Sequence, residues 1–219
     1  GISANWIYYL EKMIRGAMGP DVVVVFLNGA CGDVTQVDNL SPYANPSGEQ
    51  WARLVGGRVG AEAVKVLLLA EPGDAVPLDA AVKVWRAGRR IPSPERVKRC
   101  WEMVRKDPKE VGVSEWTFAK EIVMLDALVA KEKTVEVEAQ AVQVGPAVFL
   151  SNPAEYFCQF GLDLKARSPF PFTYPVELAN GCVGYVPTEE ALGPRGGGYE
   201  TRLTSYSNLE PSAGRQMVD

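Results

Sequence analysis

The sequence predicts an α/β fold, a mixed β-sheet flanked by helices that is incomplete as a domain on its own, and three features point to it. Apolar residues recur at helical spacing in several stretches, beginning with Ile7, Leu10, Ile14 and Ala17. Other stretches alternate with period two, most cleanly Val135, Val137, Ala139 and Ala141 against Glu136, Glu138 and Gln140. The two kinds of segment are interleaved along the chain, the order expected of a layered α/β domain with a mixed sheet.

The first helix is expected over residues 4–18, with Glu11, Lys12 and Arg15 turned outward, and Gly19-Pro20 ends it. Val22 to Leu27 is a continuous, mostly β-branched run that suits a central strand covered on both faces. A polar loop containing Pro42, Pro46 and Ser47 leads to a second helix over 48–70, whose apolar face would carry Trp51, Leu54, Val55, Val59, Ala63 and Val66. Gly56, Gly57 and Gly60 weaken that helix locally and would let it approach the sheet closely. Residues 80–87 alternate as a strand, with Val82 and Val84 on one face and Lys83 and Trp85 on the other.

Ser93-Pro94-Glu95 is a cap and first turn for a helix carrying Val97, Trp101 and Val104, and a further helix carries Phe118, Ile122, Leu125 and Val129. Lys98, Arg99, Arg105 and Lys106 are expected to form a solvated face. The strand over 134–144 turns at Gly145-Pro146 into 147–150, giving a hairpin. A helix is expected from Glu155 to about Ala166, a strand over 172–178 and an exit loop over 179–188. With no internal repeat and no boundary signal, residues 1–219 are expected to form one α/β domain.

Composition narrows the function. Of 219 residues, 47% are hydrophobic and 23% charged, a globular balance rather than a disordered one. The net charge of −4 gives no basic surface for nucleic acid, and no apolar run reaches the roughly 18 residues of a transmembrane segment. Cys31, Cys100, Cys158 and Cys182 lack CxxC spacing and are expected to be buried free thiols. The sequence contains no histidine, the commonest zinc ligand and neutral-pH base, so a hydrolytic mechanism housed wholly in these residues would do without it. Gly1 to Trp6 reads as the opening of a helix rather than a secretory signal, and Glu210 to Asp219 as a helix just starting. The chain is accordingly expected to be a piece of a longer protein.

Chemistry is expected at three places where an apolar strand runs into a short polar loop, as ligand sites do in open α/β sheets. In Leu27-Asn28-Gly29-Ala30-Cys31-Gly32-Asp33-Val34-Thr35 the glycines free backbone amides for an anion, so that Gly32 and Asp33 are expected to bind a substrate and Asp33 or Thr35 to act on it, Thr35 as the catalytic group. Asp33 capping a neighbouring amide is the plainer alternative. In Ser151-Asn152-Pro153-Ala154-Glu155 a carboxylate follows a proline, where it either serves a helix dipole or acts as a metal ligand or base. In Asn180-Gly181-Cys182-Val183-Gly184-Tyr185-Val186-Pro187-Thr188, continuing to Gly198-Tyr199-Glu200, flexible backbone can direct a phenol into a cleft or hold it buried with one hydrogen bond.

Taken in order, Phe26 to Thr35, Asn152 to Glu155, Ala179 to Thr188 and Gly198 to Glu200 resemble the neutral/alkaline non-lysosomal ceramidase family, in the C-terminal part of its catalytic domain. Family members hydrolyse the amide bond of ceramide using water activated by zinc, which two histidines, a glutamate and a tyrosine hold. The resemblance implies Glu155 and Tyr185 as metal ligands, Tyr199 as a catalytic group at the substrate carbonyl and Thr35 where the ceramidases carry a serine. It also implies that the two histidines belong to a preceding part of the protein, whose remaining N-terminal portion would be this chain's partner, and that the substrate is a lipid amide or other small molecule. A secreted or surface location follows from the same resemblance. Gly32-Asp33-Val34-Thr35-Gln36 departs from the family's Gly-Asp-Val-Ser-Pro pattern twice: threonine adds a methyl group and glutamine replaces a rigid proline. Those departures and the missing histidines motivate a rival expectation, a non-catalytic binding or scaffold module that keeps the fold without metal.

Overall fold

The computed structural model describes residues 2–38, 40–42, 47–71, 73 and 76–219; Pro46 of the polar loop lies outside them. They fall into two compact units, one made of residues 1–27 and 35–74, the other of 28–34 and 75–219.

The smaller unit is a helix pair, α1 (Trp6–Met18) and α2 (Gly48–Leu67). Leu10 and Ile14 bury the expected face of α1, but α2 buries Ala52, Gly56 and Gly60 rather than its bulkier stripe; Leu54, Val59 and Val66 stay exposed. Close approach decides this. A Cβ on Gly56 would sit 2.1 Å from the Trp6 carbonyl oxygen, and one on Gly60 2.7 Å from the Met13 Cβ, so the small residues admit α1 where larger ones would hold it off. The glycines therefore serve helix–helix contact, not the predicted contact with the sheet. Val22 to Leu27 corrects a second expectation: it forms no strand with any described residue, and Val23 and Val25 are 80% and 74% exposed. A β-branched run sets the backbone preference, but a strand also needs a neighbour to complete its ladder.

The larger unit is α/β. Its sheet has four strands in the order β1 (Leu78–Gly88), β2 (Thr134–Val144), β3 (Ala147–Ser151) and β5 (Phe172–Val176). β1, β2 and β3 are antiparallel neighbours, and β3 pairs parallel with β5, so the sheet is mixed as predicted. The Gly145-Pro146 turn, with Gly145 at φ +57°, closes the predicted β2–β3 hairpin. Between β1 and β2 the chain makes α3 (Pro94–Val104), the single turn α4 (Pro108–Val111) and α5 (Val113–Lys131). Ser93 caps α3 by accepting from the Arg96 N–H at 3.2 Å, and Val97 and Cys100 meet Ala119 and Ile122 of α5 in a small core of their own. Lys98, Arg99, Arg105 and Lys106 lie in solvent, as expected.

The main core lies on the face of the sheet that carries Trp85, Ala87, Val135 and Val137. Phe160 and Leu164 of α6 (Cys158–Arg167) and Met217 of α7 (Ala213–Val218) cover it, around the fully buried Tyr156. No helix among the described residues is long and apolar enough to cross a membrane. The four cysteines are free; Cys100 is buried as expected, Cys31 and Cys158 are half-buried, and Cys182 is exposed because it sits in a loop outside both cores.

Candidate functional site

Glu155 does not open a helix. It lies in a two-residue strand, β4 (Glu155–Tyr156), paired parallel with β6 (Tyr185–Val186), and the register sets Glu155 opposite Tyr185. The Glu155 N–H donates to the Gly184 carbonyl at 2.9 Å and the Phe157 N–H to Val186 at 3.3 Å, so the backbone stays extended through the carboxylate. α6 starts only at Cys158, whose N–H donates to Asp33 Oδ1 at 2.7 Å. Asp33 thus takes the capping role that was the plainer of its two readings, while also lining a cavity of about 820 Å³ with Phe157, Thr188, Glu190 and Arg195.

Two glycines let the loops close on this ribbon. Gly32 is buried, donates its N–H to the Tyr156 carbonyl at 2.8 Å, and leaves room where a Cβ would meet the Glu155 carbonyl oxygen at 2.4 Å. Gly184 adopts φ +76°, and a Cβ there would stand 1.9 Å from the Tyr206 carbonyl oxygen.

Around Glu155 the side chains converge. The Tyr206 hydroxyl donates to Glu155 Oε1 at 2.6 Å, and the Tyr185 and Tyr199 hydroxyls lie 3.2 Å apart. The rings of Tyr199 and Tyr206 stand edge-on to Tyr185, with centroids at 5.7 and 6.0 Å. Burial, followed by hydrogen bonds to Tyr199 and Glu155, raises the Tyr185 phenol well above its ordinary pKa. Burial, Cys182 and Glu155 do the same for Tyr206, whose hydroxyl lies 3.2 Å from Cys182 Sγ. Both phenols are therefore neutral donors at neutral pH. The loop that carries Tyr199 and Tyr206 is pinned from behind: Ser207 Oγ donates to the Glu200 carbonyl at 2.7 Å, and the Arg90 guanidinium donates to the Ser207 carbonyl at 3.0 Å.

The structure thus brings Glu155, Tyr185 and Tyr199 together and sets Gly32 directly behind the Glu155 carbonyl. Thr35 belongs to the helix-pair unit, where its Oγ1 accepts from the Val37 N–H at 3.3 Å and the residue is exposed. Two participants were not singled out from sequence, and Cys182 was read there only as a buried free thiol. Tyr206 carries no strand or helix periodicity to mark it. Glu177, at the end of β5, is a buried carboxylate that accepts from Tyr156 N–H at 2.8 Å, Cys31 N–H at 3.2 Å and Asn28 Nδ2 at 3.2 Å. It ties the 28–34 loop to β4 and so fixes the ground on which Glu155 stands. Its one sequence signal is a carboxylate closing an apolar strand.

Cys31 Sγ lies 2.8 Å from Glu177 Oε1, and burial together with that carboxylate pushes the thiol up to about 12. Alkylation depends on thiolate. At pH 8, Cys31 should accordingly react with iodoacetamide at least ~100-fold more slowly than the exposed Cys182. Peptide mapping after timed labelling checks this; equal rates would mean that the Glu177 contact is absent in solution.

As a metal site the arrangement fits in part. Glu155 and Tyr185 offer two oxygen donors from adjacent strands, set opposite each other by the register. No group of three or more His, Cys, Asp or Glu among the described residues is able to hold a metal ion. The donors fit half of a four-coordinate set, with the remaining positions to be filled from elsewhere.

No family model matches the sequence, and no curated protein matches it. The fold is similar to that of neutral ceramidase from Pseudomonas aeruginosa, with a TM-score of 0.65 at 17% identity over 100% of this chain and 40% of that one. It is also similar to a ceramidase complexed with C2, at a TM-score of 0.51 and 16% identity over 79% of this chain and 34% of that one. The chain spans less than half the length of these ceramidases, and what it shares with them is the fold: a mixed sheet flanked by helices, matching part of a ceramidase domain.

Proposed function

We propose that this chain is the C-terminal part of the catalytic domain of a zinc-dependent amide hydrolase of the neutral ceramidase type, acting on N-acylsphingosine or a related lipid amide. One observation carries the reading: Glu155 and Tyr185 face each other across a parallel two-strand ribbon, inside a fold similar to neutral ceramidase. In this reading Glu155 and Tyr185 hold the zinc, and two histidines from a preceding part of the same protein complete its protein ligands. Bound there, zinc supplies a nucleophile at neutral pH and polarises the amide oxygen.

The chain's own residues set the rest. Tyr206 engages Glu155 Oε1 and thereby orients the other carboxylate oxygen, as partners of metal-bound carboxylates do. Tyr199 is exposed with its hydroxyl 3.2 Å from that of Tyr185, and in this reading it donates to charge developing on the substrate carbonyl. In this reading Gly32 and Asp33 contact the substrate, with Asp33 Oδ1 held by the Cys158 amide, and the Thr35 hydroxyl is a catalytic group.

With half of its ligands in this chain, the 219 residues alone should retain well under one zinc per molecule after dialysis, by metal analysis. Stoichiometric, tightly held zinc in this chain would overturn the split site. The whole protein should hold one zinc and cleave a fluorogenic ceramide. Zinc without cleavage would point to another amide substrate, and neither zinc nor cleavage to a metal-free scaffold.

A further inference from the structure

The four-stranded sheet has two unlike faces. Val137 and Ala87 on the inner face are fully buried, and Val148 and Thr173 nearly so. On the other face the cross-strand rows are Leu78–Val144–Ala147–Phe172, Ala80–Val142–Phe149–Tyr174 and Val82–Gln140–Ser151–Val176, read through the registers of β1, β2, β3 and β5. Phe149 and Tyr174 stack at 5.3 Å, while Leu78 is 69% exposed, Val82 61% and Phe172 53%. Val84, Val142 and Tyr174 are exposed as well. Within these rows the polar side chains are Gln140, Ser151 and the Tyr174 hydroxyl, and Gln140 donates to the neighbouring Glu138 at 2.8 Å. A contiguous apolar surface of this kind marks a contact site.

We infer that this open face is the docking surface for the part of the same protein outside these 219 residues, which lays an apolar layer against β1, β2, β3 and β5. The length supports that occupant: the chain spans 40% of the neutral ceramidase it resembles in fold, and more than half of that protein's length lies outside the matched part. Sheet chemistry supports it too. Strands in α/β domains that carry apolar side chains on both faces are covered on both faces. β1 does so, with Trp85 and Ala87 on one side and Leu78, Val82 and Val84 on the other. Charge on this face is gathered at one end, in Arg86, Glu136 and Glu138 beyond the three rows, so the rows themselves present an apolar patch that disfavours a nucleic-acid partner. The inference rests on reading the chain as part of a larger ceramidase-type domain, but on nothing about zinc.

A cysteine placed at Val82 in the whole protein tests it, read as maleimide labelling above that of the native cysteines, with Lys106→Cys as the exposed control. For Val82→Cys in a monomeric protein, the added label should appear at least ~10-fold more slowly than at Lys106→Cys, because only transient opening exposes a covered site. Labelling at the control rate would overturn the inference, since the face would then be open. Protection that disappears on dilution to monomer would also overturn it, assigning the face to a second copy. Should Val82→Cys lower the melting temperature, the subtler Val142→Cys repeats the measurement at the centre of the face. Zinc content of the same preparation reports separately on the metal reading, so either can fail while the other stands.

Discussion

Glu155→Gln in the whole protein is expected to lose bound zinc and to lower hydrolysis of a fluorogenic ceramide by more than ~100-fold. Altering a group that merely orients a ligand typically costs 10–100-fold, so removing the charge of the ligand itself should cost more. Glutamine suits the question because it keeps the shape of the side chain and leaves the β4–β6 ladder, which uses backbone groups alone, undisturbed. The Tyr206 hydroxyl can still donate to the amide oxygen that replaces Glu155 Oε1. What disappears is the negative charge and the freedom to accept at both oxygens. Melting of the zinc-free forms of parent and variant should therefore agree, while zinc content and turnover separate. Tyr206→Phe should show a weaker version of the same loss, about 10–100-fold in zinc affinity. If Glu155→Gln retains zinc and turnover, the carboxylate is not a ligand. If the parent has neither to begin with, the scaffold reading gains.

The sequence revealed the sheet better than it revealed the surroundings of Glu155, for physical reasons. β1, β2 and β3 were readable because each is long or regular enough for alternation to show, and Gly145-Pro146 announces its own turn. The Val135 and Val137 side of β2 was separable from its Glu side, and it is that side which faces the main core. β4 and β6 have only two residues each, too few for any period. Their existence depends on Gly184 and Gly32 allowing distant segments to touch, which no local pattern encodes. That is why Glu155 read as the start of a helix. The same limit hid Tyr206 and Glu177, whose importance comes from contacts 51 and 21 residues away along the chain. The α2 error has another cause. Amphipathic bookkeeping favours the bulkiest stripe, whereas Gly56 and Gly60 win because closeness to α1 outweighs side-chain size. Val22 to Leu27 shows the converse, a strong strand sequence with no strand neighbour among the described residues. The three strand-end loops read from sequence did include Glu155, Tyr185 and Tyr199. Short polar interruptions of apolar strands were the legible part of the site, and the phenol that orients the carboxylate was not.

Gly184→Ala should be the most damaging conservative change in the larger unit, costing about 3 kcal/mol of stability in urea unfolding. Two effects add. The residue sits at φ +76°, where an L side chain costs about 1–2 kcal/mol. Its new methyl would lie 1.9 Å from the Tyr206 carbonyl oxygen and 2.7 Å from the carbonyl carbon, both backbone atoms that cannot swing aside as a side chain would. Gly112 separates the two effects: it has φ +90° and nothing within 4 Å of where an alanine methyl would lie, so Gly112→Ala should show the conformational cost alone, about 1–2 kcal/mol. Gly16, inside α1 and also with open space around it, should go the other way, gaining about 0.5–1 kcal/mol as alanine. The excess of Gly184→Ala over Gly112→Ala therefore measures how tightly the Tyr206 backbone is held against β6. If the two variants cost the same, the 204–207 loop moves freely, and Tyr206 cannot be the fixed donor that orients Glu155.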